Sequence, residues 1–179
     1  MPKKTIVKTA QKPMESAVLV ESKNLPKQRI GQHIEHPIED LICFALYSAS
    51  TAINKAYQPH LKLLGLTYPQ YIALSALWES NTDLSVGMLC EKLMTQTNTL
   101  TPILQRLEVQ NLVIRQKSED DGRQVNIKLT EKGLQMRMHQ SNVTKCVVRD
   151  TGLPTEELDA LTQTISKMRD NLIKAQGQN

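Results

Sequence analysis

Residues 85–130 read SVGMLCEKLMTQTNTLTPILQRLEVQNLVIRQKSEDDGRQVNIKLT, and the order of patterns within them decides the fold. Val86, Leu89, Cys90 and Leu93 share one face of a helix predicted from Ser85 to about Leu93. Met94-Thr95-Gln96 is a short polar break. A second helix follows from about Asn98 to Val109, with Leu100, Ile103, Leu104 and Leu107 apolar and Asn111 as its stop signal. The period then changes. Leu112 and Ile114 alternate with Val113, Arg115 and Lys117, and Val125, Ile127 and Leu129 alternate with Gln124, Asn126 and Lys128. Two period-2 runs around the charged turn Glu119-Asp120-Asp121-Gly122-Arg123 predict a β-hairpin.

Helix, tight break, helix, hairpin is the order of a winged helix-turn-helix. In that arrangement the second helix enters the major groove of DNA, so its exposed face should carry short hydrogen-bonding side chains. Gln96, Thr97, Asn98, Thr99, Thr101 and Gln105 supply them, with Arg106 one position further on. A Thr/Asn cluster at a helix start usually serves as a cap. Six such residues in ten exceed what a cap needs. Arg123, at the hairpin tip, is placed to enter the adjacent minor groove, with Asp121 able to brace it.

Working outward, Thr67-Tyr68-Pro69 opens a helix that ends near Ser80-Asn81, with Thr67 as N-cap and Pro69 in the first turn. Before it, Ile42, Ala45, Leu46, Ala49, Ile53 and Ala56 predict a helix over about 39–56, closed by Pro59 and Gly65. After the hairpin, Thr130 caps a helix predicted to reach Asp150, where Gly152 and Pro154 break it. A last helix, about 155–174, sets Leu158, Leu161, Ile165, Met168 and Leu172 at steps of 3 and 4, a two-heptad seam. That seam fits packing on another helix; a terminal helix lying on its own core gives the same pattern. The expected fold is mostly α with a small β-hairpin wing, a winged helix-turn-helix between N- and C-terminal dimerisation helices. The expected organisation is a basic arm over 1–36, a sensor and dimerisation helix over 37–66, the DNA-binding domain over 67–130 and dimerisation helices over 131–179.

Composition narrows the function classes. The 179 residues are 40% hydrophobic, enough for a core, and no apolar run approaches the roughly 18–20 residues of a membrane span. The opening MPKKTIVKTAQK lacks the apolar stretch of a secretory signal, so a cytoplasmic location with reduced thiols is expected, without a membrane partner. The net charge of +4 suggests nucleic acid, but residues 1–30 hold +5 of it and residues 31–179 sum to −1. The DNA reading therefore rests on motif. Cys43, Cys90 and Cys146 form no zinc or disulfide framework, and neither a metal nor a cofactor is expected. All six aromatics, Phe44, Tyr47, Tyr57, Tyr68, Tyr71 and Trp78, fall within 35 consecutive residues. That placement disfavours a β-sandwich and concentrates the phenol chemistry in one region.

Cys43 falls in the first turns of its helix, where the dipole favours thiolate, yet Glu39 and Asp40 oppose it. Neutral donors must then assist. Tyr47, four residues on, shares its face. Tyr57 returns to nearly the same face after 14 residues, about 21 Å away, so it reaches a Cys43 only across antiparallel helices of two chains. Cys90 shares the apolar face of Val86, Leu89 and Leu93 and reads as core.

The run TLTPILQRLE, QRLEVQNLVIRQ, DDGRQVNIKLT and LTEKG resembles the MarR family of dimeric winged-helix repressors, whose wing signature corresponds to Asp121, Arg123, Leu129 and Thr130. LICFALYSAS, the spaced Tyr57 and LTYPQYIALSALWE resemble its organic hydroperoxide resistance regulators (OhrR). The resemblance spans about residues 37–175. It implies a homodimer that binds double-stranded DNA at a pseudo-palindromic operator and releases it when an organic hydroperoxide oxidises Cys43. It also implies that Tyr47, Tyr57 and Tyr68 surround Cys43, with Tyr57 crossing the dimer. Cys146 corresponds to the second cysteine of two-cysteine members, which forms an intersubunit disulfide through a sulfenic acid. For Tyr71 an ordinary half-buried ring remains an equal reading. Release by a phenolic or lipid ligand, and a general redox or electrophile response, remain alternatives. An enzyme, a thiol peroxidase, is disfavoured because no thioredoxin-fold peroxidase site is present.

Overall fold

The hydrophobic core is built almost wholly from the middle of the chain. The computed structural model describes residues 37–80, 82–118, 122 and 124–177. Helix α1 (Ile42–Leu63) follows a 3-10 turn at Ile38–Asp40; then come α2 (Tyr68–Glu79), β1 (Leu84–Ser85), α3 (Val86–Leu93) and α4 (Thr97–Val109). Strands β2 (Val113–Lys117) and β3 (Val125–Leu129) form the wing, followed by α5 (Glu131–Met136), a 3-10 turn, α6 (Gln140–Asp150) and α7 (Thr155–Gln176). The architecture is a mostly helical winged helix-turn-helix, as expected.

Helix α2 lies at the centre, with Gln70, Tyr71, Ala73, Leu74, Ala76, Leu77 and Trp78 all buried. Its start is fixed by a capping arrangement in which the Thr67 N–H donates to Gln70 Oε1 at 2.8 Å. Against it pack Leu89 of α3 and Leu100, Leu104 and Leu107 of α4, each 1% exposed or less. Each such side chain contributes about 1.5–3 kcal/mol of burial. The break between α3 and α4 turns on Met94, at φ 51°, while Thr95 N–H reaches back to the Cys90 carbonyl.

The sheet has one more strand than the hairpin predicted. β1 pairs antiparallel with β3 (Leu84 opposite Ile127), and β3 pairs with β2 (Arg115 opposite Ile127), giving the order β1-β3-β2. Two residues are too short a strand to leave a period-2 signal.

Two helix boundaries also differ from expectation. α1 runs through Pro59 to Leu63, although Pro59 was expected to close it. A proline here removes only the bond to the carbonyl of exposed Lys55, which water can satisfy, and the continuation buries Leu61 at 1% exposure. The end comes at Gly65, φ 68°, where Leu66 N–H bonds the Leu61 carbonyl. The helix predicted over 130–150 is broken at Arg137–His139. Trp78 Nε1 donates to the Gly133 carbonyl at 2.8 Å, the acceptor Arg137 N–H would use in a continuous helix. Arg137 N–H bonds Leu134 instead, and the helix tightens into a 3-10 turn. Gly133 is buried, and a Cβ there would collide with the Leu112 carbonyl.

The two ends of the described chain contrast with this core. No residue of α7 is buried, and α1 buries only Leu61. Leu161, Ile165, Leu172 and Ile173 of α7 and Ile42, Tyr47 and Ile53 of α1 are exposed. Among the described residues, no helix is long and apolar enough to cross a membrane.

Candidate nucleic-acid interface and thiol site

Helix α4 sorts its residues by face. Leu100, Leu104 and Leu107 point inward, whereas Gln96, Thr97, Asn98, Thr99, Gln105 and Arg106 are exposed and Thr101 is half-buried. Gln96 is the N-cap, so the helix starts one residue earlier than Asn98. Three of these residues have partners: Thr99 Oγ1 donates to Asn98 Oδ1 at 3.3 Å, and Thr97 Oγ1 lies 3.7 Å from Cys90 Sγ. Their arrangement is a polar strip above an apolar floor. Asp121 and Arg123 lie outside the described residues, at the turn between β2 and β3. The strip sits beside the wing because Thr130 Oγ1 donates to the Asn111 carbonyl at 2.7 Å and Thr130 N–H bonds Leu112.

The thiols are spread over α1 (Cys43), α3 (Cys90) and α6 (Cys146), and the tyrosines lie on α1 and α2. Cys43, Cys90 and Cys146 are free, with Cys43 exposed and the other two half-buried. Leu41 is the N-cap of α1, which puts Cys43 at its second residue, near the positive dipole end. Glu39 and Asp40 lie in the preceding 3-10 turn, outside the α-helix. Tyr47, one turn beyond Cys43, is 70% exposed. Cys90 packs against the core, as its apolar face predicted.

Three tyrosines gather away from Cys43. The rings of Tyr57 and Tyr68 are 5.0 Å apart, those of Tyr57 and Tyr71 5.6 Å, and Tyr71 meets Trp78 edge-on at 6.1 Å. Tyr71, 4% exposed, belongs to the cluster as firmly as the two tyrosines the resemblance singled out. Its hydroxyl lies 3.2 Å from Thr144 Oγ1 on α6, a contact no spacing rule reveals across 73 residues. Burial raises the pKa of Tyr57 above the usual 10.0, with Tyr71 and Tyr68 adding to the shift and a hydrogen bond to Thr144 opposing it. Burial raises Tyr68 likewise, with Tyr71 adding. Both hydroxyls therefore keep their protons at neutral pH and remain donors.

Cys146, on α6, has a cation the sequence reading did not use. Arg149 lies three residues on, one helical turn away on the same side of α6. Arg149 is itself held by Asp150, through bonds of 3.0 and 2.8 Å. The i, i+3 spacing was legible and would have found it. Among the described residues, no cluster of three or more His, Cys, Asp or Glu could hold a metal.

Residues 55–138 match the family model described as transcriptional regulator SarA/Rot. The organic hydroperoxide resistance transcriptional regulator of Bacillus subtilis is 37% identical over 135 residues, covering 75% of this chain and 91% of that protein. The chain belongs to the MarR family of winged-helix transcriptional regulators. Among solved MarR-family structures, AbsC of Streptomyces coelicolor is 26% identical at TM-score 0.64, covering 73% of this chain and 90% of that one. AbfR, of Staphylococcus epidermidis, is similar in its reduced, DNA-bound structure (32% identity, TM-score 0.62, 76% of this chain and 94% of that one). Its disulfide-formed structure is 32% identical at TM-score 0.53, covering 73% and 91%. These relatives are transcriptional regulators, and this MarR-family chain is a regulator of the OhrR type, not an enzyme.

Proposed function

We propose that the chain is a homodimeric repressor that binds a pseudo-palindromic operator in double-stranded DNA and releases it when an organic hydroperoxide oxidises Cys43. The observation that carries the reading is the division of α4, with a polar strip of Gln96, Thr97, Asn98, Thr99, Thr101, Gln105 and Arg106 over buried leucines. Short donors and acceptors on an exposed helix suit base edges and phosphates in a major groove. Arg123, braced by Asp121, serves the minor groove. AbfR, a relative of similar fold, is described as DNA-bound in its reduced form, which supports this assignment.

Dimerisation follows from the exposed apolar residues of α1 and α7, which bury little on their own chain. In the dimer, residues 37–66 and 131–179 form the sensor and interface halves, and 67–130 the DNA-reading domain. Tyr57 and Tyr68 of one chain then stand with Tyr47 of the other around its Cys43. Protonated phenols there would stabilise the thiolate by donating to it. The peroxide O–O bond breaks as the thiolate sulfur takes the terminal oxygen, giving the sulfenic acid and an alkoxide, which takes a proton from solvent and leaves as the alcohol. The thiolate of Cys146 of the other chain attacks that sulfur, forming the disulfide as hydroxide leaves and takes a proton from solvent to become water.

A second reading draws on one feature. An open cleft of about 470 Å³ lies between the DNA-reading helices and the segment that follows the wing, lined by Ser75, Trp78, Lys92, Arg137 and Gln140. Glu79 also lines this cleft and pairs with Lys92 at 2.9 Å, which leaves Arg137 as the cation to meet a small phenolic acid, one ligand class of the alternative. One experiment separates the two readings. A mobility shift on the DNA beside the protein's own gene is run with cumene hydroperoxide on the wild type and Cys43→Ser. The variant should bind and ignore the peroxide; peroxide release that survives Cys43→Ser refutes the sensor assignment.

A further inference from the structure

Glu108 joins the recognition helix to the wing at one residue. β2 lies at the edge of the sheet, since β3 occupies the middle. The Arg115 N–H on this edge strand donates to Glu108 Oε1 at 3.1 Å. The second carboxylate oxygen, Oε2, stands 3.8 Å from Arg115 Nη1, an ion pair longer than a hydrogen bond. Arg115 Nε is buried without a partner among the described residues, so the guanidinium is held through its pairing with Glu108. One carboxylate thus grips both the backbone and the side chain of a single strand residue.

The location is electrostatically adverse for a DNA-binding helix. Glu108 lies in the last turn of α4, where the helix dipole disfavours an anion, and on the element assigned to meet phosphates. A partly exposed pair of this kind adds little to stability. We infer that Glu108 and Arg115 are positioning residues for DNA: they tie the end of α4 to the free edge of β2 and so fix the wing where helix and wing engage the duplex together. The inference rests on the DNA-binding reading above.

The test uses the full-length protein and a duplex from upstream of its own gene, titrated at several salt concentrations. By charge alone, Glu108→Ala removes two negative charges per dimer and should tighten binding. The positioning role predicts the reverse: affinity falls roughly tenfold and the salt slope becomes shallower, because wing contacts are lost. Glu108→Gln keeps an acceptor for the Arg115 N–H and should fall between the two. Arg123→Ala should cost at least about threefold less in the Glu108→Ala background than in the wild type, since misplacing the wing removes the same contact. Glu108→Ala binding as tightly as the wild type, or an unchanged Arg123→Ala penalty, overturns the inference alone. Failure of the wild type to bind the duplex overturns the DNA reading and the inference with it. Where Glu108→Ala lowers the unfolding midpoint markedly, Glu108→Gln decides: a partial loss supports the positioning role, and unchanged binding overturns it.

Discussion

The DNA-reading half and the sensor half of this chain are built on different terms. From Leu61 to Ile127 nearly every periodic apolar residue finds its partner within the chain, with Leu74, Leu89, Leu104, Leu107 and Ile127 wholly buried. In α1 and α7, 22 residues each, the same kind of pattern leaves Ile42, Tyr47, Ile53, Leu161 and Ile165 exposed. A helix whose apolar stripe stays in water gains little from tertiary packing. The difference teaches where one chain suffices. The reading head packs within one chain, whereas the thiol site is proposed to be shared between two.

The sharpest way to break the reading head is Gly133→Ala. The added Cβ meets the Leu112 carbonyl, a backbone atom that cannot swing aside, next to the carbonyl that receives the Trp78 indole. A loss of about 3 kcal/mol or more is expected in urea unfolding. An unchanged midpoint would show that the wing packs differently on α5.

The sensor half should fail in another way. Leu161→Glu with Ile165→Glu places two charges in the α7 seam, where they should raise the dimer dissociation constant by at least about 100-fold in sedimentation. Far-UV circular dichroism should still report the helices of the reading head. A dimer that survives both charges would put the interface elsewhere.

Smaller effects probe the tyrosine cluster. Thr144→Val removes the hydroxyl beside Tyr71, an expected cost of about 1 kcal/mol in unfolding. For the tyrosines the sign of the pH effect follows from their raised pKa. The folded state favours the neutral phenol, so the stabilisation is fully present below about pH 10, the unfolded value, and is lost as pH rises through the higher folded values. Ultraviolet titration should therefore show Tyr57 and Tyr68 ionising above the usual phenol range. Four ordinary titrations would mean that Tyr57 and Tyr68 are hydrated.

How much of this was legible in the sequence follows the same division. The leucines of α4 and the alternation of β3 are local signals, and the structure keeps them; in β2 the phase is reversed, with Val113 buried and Ile114 exposed. What escaped depends on distant atoms. Whether Pro59 ends α1 turns on how far the helix must run to bury Leu61. The break after Met136 needs an indole from 55 residues away, and Tyr71 owes its place to Thr144. β1 is too short to carry a period. Periodicity could name the exposed seam of α7 but not what covers it, because none of the described residues of this chain buries it.

The claim that the thiol site is shared is tested most directly in mixed dimers. One chain carries Cys43→Ser with Tyr57 intact; the other keeps Cys43 and carries Tyr57→Phe. The rate of Cys43 oxidation by cumene hydroperoxide is read by trapping the sulfenic acid. Tyr57→Phe homodimers should react about tenfold more slowly than the wild type. In the mixed dimer the remaining Cys43 faces an intact Tyr57 across the interface and should recover the wild-type rate. A mixed dimer as slow as the Tyr57→Phe homodimer would contradict a site built from two chains.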